Sequence, residues 1–216
     1  MIKMQLRLEL VLLLVILGFN VWLRGHTFGP TIVERYHVNF WPVTDVESEP
    51  LDCDEAVYAY IGKRIVAGDV MYCDLTENKP PGGYWLYALA VAIGGANEFA
   101  IRVMPVPIVA ITILLIWWIG RVVGGPGAGL LAALVYALAS TDPFLYGNGA
   151  NFEHAINLAA VASLACLVRR INEPGRAALL WAGFFVGCAS LIKQVAALHW
   201  LAYVLLLAIM PRKSPT

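Results

Sequence analysis

Charge is sparse in this sequence: only 14% of its 216 residues are charged, and 15 basic residues cancel 15 acidic ones. A chain without net charge projects no strong field, which sets aside nucleic acid and anionic lipid as partners of the molecule as a whole. Cysteine is scarce as well. Cys53, Cys73, Cys166 and Cys188 show no Cys-x-x-Cys or Cys/His spacing, and that removes structural zinc and the dithiol redox motif. No small-x-small cleavage site follows the first apolar run, although Lys3 and Arg7 precede it, so the run reads as a retained anchor and not as a leader. Repeats, low-complexity tracts and polar linkers are missing too, and residues 1–216 read as one membrane unit.

What is abundant is apolar. Sixty per cent hydrophobic residues and a mean hydropathy of +0.70 exceed what a soluble globule of this size can hide, so lipid must be part of the solvent. A spanning helix needs about 20 residues to cross about 30 Å of hydrocarbon. That ruler gives about six spans: Leu8 to Leu23, Ile101 to Gly120, Pro126 to Leu145, Phe152 to Val168, Ala177 to Ile192 and Val195 to Met210. The run from Tyr84 to Gly95 is too short and is expected to lie along the interface. The expected fold is all-α, a polytopic membrane bundle with a short interfacial helix in a long first loop. Pro105 and Pro107 should bend the second span, and Gly124 to Gly127 should make a tight turn.

Lys and Arg in short loops stay on the cytoplasmic side. If the short run does not span, Lys3 and Arg7, Arg121, the loop from Arg169 to Arg176, and the tail Arg212 and Lys213 all share that side. If it spans, every later cluster moves to the opposite side, so the first arrangement is preferred. It leaves outside the loop from Arg24 to about Ala100, the turn from Thr141 to Asn151, and the junction Lys193, Gln194. Their polar residues should meet at one membrane face.

The first outer loop carries Asp52, Asp54 and Glu55 at the start of a helix whose Tyr58, Ile61, Ile65 and Val66 share a face. Carboxylates are favoured at helix amino termini, so ordinary capping competes with catalysis as their explanation. Further on, Lys79 stands directly before Pro80, Pro81, Gly82, Gly83, Tyr84 and Trp85. An ammonium fixed there at headgroup depth suits a lipid-linked phosphate, and snorkelling to general headgroups is its plainer reading. Lys193 interrupts an apolar stretch, where an unpaired lysine is costly.

An Asp-Glu pair at a helix start followed by Lys-Pro-Pro-Gly-x-Tyr resembles the polyprenyl-phosphate-sugar-dependent glycosyltransferases of the multi-spanning GT-C type. The order of Asn97 to Arg102 opening a span, a glycine-rich turn, Pro143 to Glu153, and Ala189 to Gln194 is similar to theirs. The resemblance implies an acidic catalytic residue, the base, at Asp54 with Glu55 beside it, and donor-phosphate binding by Lys79 and Lys193. It also implies a second acidic site at Glu153 and a polyprenyl-phosphate sugar donor. The acceptor would be a lipid, glycan or protein at the outer face of the cytoplasmic membrane. In some relatives such acids help hold a divalent metal, for which Asp54, Glu153 and His154 are the candidates here; a polar helix start explains Glu153 and His154 equally well.

Members of that family generally run through more spans than this chain, so the resemblance is to their amino-terminal part. A piece of a longer enzyme, a split enzyme whose second chain supplies the missing helices, and an inactive remnant all fit it. Two non-catalytic readings compete. A transporter or lipid-carrier binding protein would place its charges near the midplane and show paired repeats; a structural subunit would leave unexplained why Asp54, Lys79, Glu153 and Lys193 share a side. Cys53 and Cys73 share the outer loop, and a bridge between them is an expectation from compartment alone.

Overall fold

The structure, a computed structural model, describes residues 2–25, 51–142, 145, 147–172 and 176–209. Residues 26–50 of the long loop, Pro143, and the tail with Arg212 and Lys213 lie outside the described residues. The elements are α1 (Ile2–Gly25), α2 (Cys53–Val66), α3 (Gly82–Gly94), α4 (Glu98–Val103), α5 (Pro105–Gly124), α6 (Pro126–Ala139), α7 (Phe152–Asn172), α8 (Arg176–Ile192), a 3-10 turn (Gln194–Ala197) and α9 (Leu198–Ile209). Among the described residues the β pairing is a single bridge, Met71 to Leu75. The protein is an all-α membrane helix bundle.

The expected spans are only partly matched in length. Met4–Gly25, Glu98–Gly124 and Phe152–Arg170 are long and apolar enough to cross a bilayer, whereas Pro126–Ala139, Arg176–Ile192 and Gln194–Leu205 are shorter. The stretch read as reaching Leu145 ends as a helix at Ala139. Its successor folds back instead: a Cβ on Gly147 would stand 2.8 Å from the Ser140 carbonyl, so this glycine lets the return segment press against the helix end. The second span is divided at Met104, next to Pro105. Asn97 caps α4 by accepting from the Ala100 amide at 2.9 Å, and the chain restarts as α5 with Pro105 in its first turn, where a proline loses no hydrogen bond.

Small residues let the spans close up. A Cβ on Gly120 would lie 2.9 Å from the Gly129 Cα, so α5 and α6 approach at backbone distance, as membrane interfaces favour. One core joins α1, α5 and α6 through Leu13, Ile16, Val109, Ile113, Ala133 and Ala137. Polar groups mark the two ends of this layer. Glu9, nearly buried in α1, accepts from the Trp117 indole at 3.0 Å and pairs with Arg121 at 3.2 Å. At the other end, which we call the upper end, Asn20 donates to the Ala137 carbonyl at 2.7 Å and the Arg24 guanidinium donates to the Ser140 and Gly147 carbonyls.

The second core joins α2, α3, α4, α7 and α8 and is centred on aromatic rings. Tyr58 of α2 stacks on Phe152 of α7 with ring centroids 4.0 Å apart, and Tyr84 and Tyr87 of α3 meet both rings edge-on. Such offset and edge contacts add about 0.5–1.5 kcal/mol each beyond burial. Tyr84 is fully buried, while its neighbour Trp85 is exposed. Val66 is likewise exposed, one step past the face formed by Tyr58, Ile61 and Ile65.

Candidate functional site

The site is built where α2, α3, α7 and the end of α8 converge. Successive residues of a helix point about 100° apart, and this separates the two acids at the start of α2. Glu55 turns inward and is 2% exposed. One of its oxygens accepts the Asp52 amide at 2.9 Å and the other accepts the Ala150 amide at 2.5 Å. Asp54 turns outward and lines an open cleft of about 420 Å³ with Asp52, Leu145, Asn151 and Glu153. Of the two acids that the sequence sets side by side, Glu55 has both oxygens committed to backbone and fastens the segment before α7 onto α2.

That fastening is shared. Tyr87 donates its hydroxyl to the Ala150 carbonyl at 2.5 Å, so both backbone polar groups of Ala150 are held by side chains of two different helices. Glu55→Gln would replace one acceptor by an amide donor facing a backbone N–H. A buried group left so mismatched costs about 1–3 kcal/mol. The thermal midpoint of the purified variant should fall by several degrees, and an unchanged midpoint would remove Glu55 from this role.

Lys79 is positioned by its backbone before its side chain. Its carbonyl accepts from the Tyr72 hydroxyl at 2.7 Å, and the Asn78 carbonyl accepts from the Gln194 amide at 2.8 Å. Tyr72 itself has φ +67°, a left-handed conformation that is costly outside glycine. The two prolines and two glycines that follow then bring α3 against its neighbours. A Cβ on Gly82 would lie 2.7 Å from the Leu191 carbonyl oxygen of α8, and one on Gly83 2.4 Å from the Phe152 ring.

Held this way, the Lys79 ammonium donates to the Tyr58 hydroxyl at 2.6 Å and sits 4.7 Å from the centre of that ring. Tyr58 in turn donates to Asp54 Oδ2 at 2.8 Å. Cation, phenol and carboxylate thus form one line. Burial, reinforced by the hydrogen bond to Asp54 and its charge, raises the Tyr58 pKa, so the phenol keeps its proton at physiological pH.

Lys193 and Glu153 form a second pair. The helix breaks at Lys193, whose backbone is extended, and its ammonium reaches Glu153 at 2.5 Å. The expected second cation and second acid therefore neutralise each other beside the cleft. His154 points elsewhere: it is buried, its Nε2 lying 3.0 Å from the Gly149 carbonyl and 3.4 Å from Arg24. Asp54, Glu153 and His154 do not fit a common metal centre, and no group of three or more His, Cys, Asp or Glu side chains suited to a metal occurs among the described residues. Cys53 and Cys73 are free thiols, both exposed, which corrects the expected bridge.

Tyr58, Tyr87 and Arg24 are the residues that sequence reasoning missed as parts of this site. Arg24 had a signal, being an arginine at the end of an apolar span, where ionisable residues are retained for a purpose. The tyrosines had only helical spacing, which reads as core.

Residues 78–215 match the family model described as dolichyl-phosphate-mannose-protein mannosyltransferase. The match begins at the residue before Lys79 and leaves α2 with Asp54 outside it. Among curated proteins, the undecaprenyl phosphate-alpha-4-amino-4-deoxy-L-arabinose arabinosyl transferase of Pseudomonas aeruginosa (strain LESB58) is 31% identical over 169 residues, covering 70% of this chain and 29% of that protein. The enzyme of the same name, numbered 2, from Pseudomonas fluorescens is 29% identical over 166 residues, covering 71% and 27%. That from Edwardsiella ictaluri is 31% identical over 102 residues, covering 44% and 18%. The chain thus spans less than a third of the length of these relatives. No solved structure matches it.

Proposed function

The chain belongs to the dolichyl-phosphate-mannose-protein mannosyltransferase family, and from that premise we propose that it works as a membrane glycosyltransferase, or the site-bearing part of one. It would take a sugar from a polyprenyl-phosphate carrier and pass it to an acceptor at the extracytoplasmic face of the cytoplasmic membrane. The observation that carries this reading is the line Lys79, Tyr58, Asp54, whose Asp54 end lines the cleft. The names of the relatives, which specify transfer of an aminoarabinose from undecaprenyl phosphate, support a lipid-phosphate donor here.

The chemistry asks little of the protein. The sugar's C1–O bond to phosphate breaks, C1 bonds to the acceptor oxygen, and the acceptor proton must go somewhere. Asp54 Oδ1 is the free acceptor, since Oδ2 is taken by Tyr58, so Asp54 is the general base. The departing phosphate gathers charge as the bond breaks, and Lys79 at the interface is the cation that steadies it. Lys193, held by the cleft residue Glu153, is a second cation close to it.

A membrane preparation supplied with radiolabelled polyprenyl-phosphate sugars tests this directly. Lys79→Ala should weaken donor binding at least about tenfold, the loss of one charge-assisted contact of roughly 1.5–3 kcal/mol. Donor binding that is indifferent to Lys79 would return the lysine to plain headgroup snorkelling.

A further inference from the structure

Lys79 and Asp54 carry opposite charges and lie on neighbouring faces of one small site, yet they are not in direct contact. The Tyr58 phenol stands between them, accepting from the ammonium at 2.6 Å and donating to the carboxylate at 2.8 Å. Left to themselves, a mobile lysine and a carboxylate this near would pair directly, because an ion pair within about 4 Å is favourable even at an effective dielectric of about 20. Such a pair would be a poor site. The ammonium would spend its charge on Asp54 in place of a phosphate, and the carboxylate would lose the basicity and the access that proton transfer needs.

We propose that Tyr58 is an insulating residue, a neutral spacer that holds the phosphate-binding cation and the base in line while preventing their collapse into an ion pair. This rests on the assignment of Lys79 and Asp54 above. The ring is well placed for the task. It is 2% exposed, wedged against Phe152 and flanked by Tyr84 and Tyr87, so the hydroxyl cannot swing out of the line. A phenol suits the role because it accepts from one partner and donates to the other. Its raised pKa agrees with its staying neutral. Tyr58 is thus a positioning residue that acts through Lys79 and Asp54.

The test uses Tyr58→Phe, which keeps the stacked ring and removes only the spacer oxygen. Binding of undecaprenyl phosphate to the full chain in lipid nanodiscs should weaken about tenfold. The decisive protein is the double variant Tyr58→Phe with Asp54→Asn: with no carboxylate to capture it, Lys79 is released and binding returns to within about twofold of Asp54→Asn alone. A loss that persists in the double variant, or no loss in Tyr58→Phe, overturns the proposal. A second readout needs no ligand. Acylation of Lys79 by an amine-directed reagent, followed by mass spectrometry, should slow in Tyr58→Phe and recover in the double variant. Equal rates in all proteins refute the insulating role, whereas failure of the wild type to bind the lipid phosphate refutes the donor assignment and leaves the amine readout to judge Tyr58.

Discussion

Asp54→Asn is expected to cut sugar transfer by at least about a hundredfold, the lower end of what a general base contributes, while donor binding is retained. The substitution is nearly isosteric. Its side-chain oxygen can still accept from Tyr58, so the line from Lys79 survives with the base alone removed. Glu55, sealed at 2% exposure and holding two backbone amides, is in no position to substitute. The measurement is transfer and binding on the same membranes with a labelled polyprenyl-phosphate sugar. Transfer that persists in Asp54→Asn would remove the base assignment, and loss of binding together with transfer would make Asp54 a scaffold residue.

The second large effect is expected from one methyl group. Gly83→Ala would place a Cβ 2.4 Å from the Phe152 ring. A side chain at the end of a flexible arm could yield, but Phe152 is clamped by Tyr58, Tyr84 and Tyr87. Either α3 moves away or the stack under Tyr58 is broken. Overpacking of this kind costs about 1–3 kcal/mol, and it falls on Phe152, against which the Tyr58 ring that bonds Lys79 and Asp54 is stacked. We expect a lower thermal midpoint and a loss of transfer of tenfold or more, read on detergent-purified protein and on membranes respectively. A Gly83→Ala protein with wild-type midpoint and activity would show that the aromatic cluster relaxes freely.

These sites were unequally legible. The Lys-Pro-Pro-Gly-Gly run announces itself because prolines and glycines are backbone statements, and the structure gives each glycine a neighbour at backbone or ring distance. The clustering of charge at two ends of the bundle was legible too, since Arg121 and Glu9 at one end and Arg24 at the other obey the cost of charge in hydrocarbon. Which carboxylate faces the cleft was not: Asp54 and Glu55 are adjacent letters, and only the packing of α2 on Phe152 decides the rotation. Tyr58 was legible only as core, because a buried aromatic at helical spacing has the same pattern whether or not its hydroxyl is used. The pairing of Lys193 with Glu153 joins residues 40 positions apart, and spacing says nothing about such a meeting. The early end of α6 was hidden for the opposite reason, as hydropathy continues toward Leu145 while the helix stops at Ala139.

Arg24 carries a consequence for the order of assembly. Its guanidinium is met by the Ser140 carbonyl, 116 residues later, and lies beside His154, 130 residues later. At a synthesis rate of about 5–20 residues per second, α1 is complete roughly 6 to 25 seconds before those groups exist. During that interval the Ser140 and Gly147 carbonyls that accept from Arg24 in the finished bundle have not yet been made. The contacts that hold the end of α1 therefore form late, together with the segment that also holds Glu55.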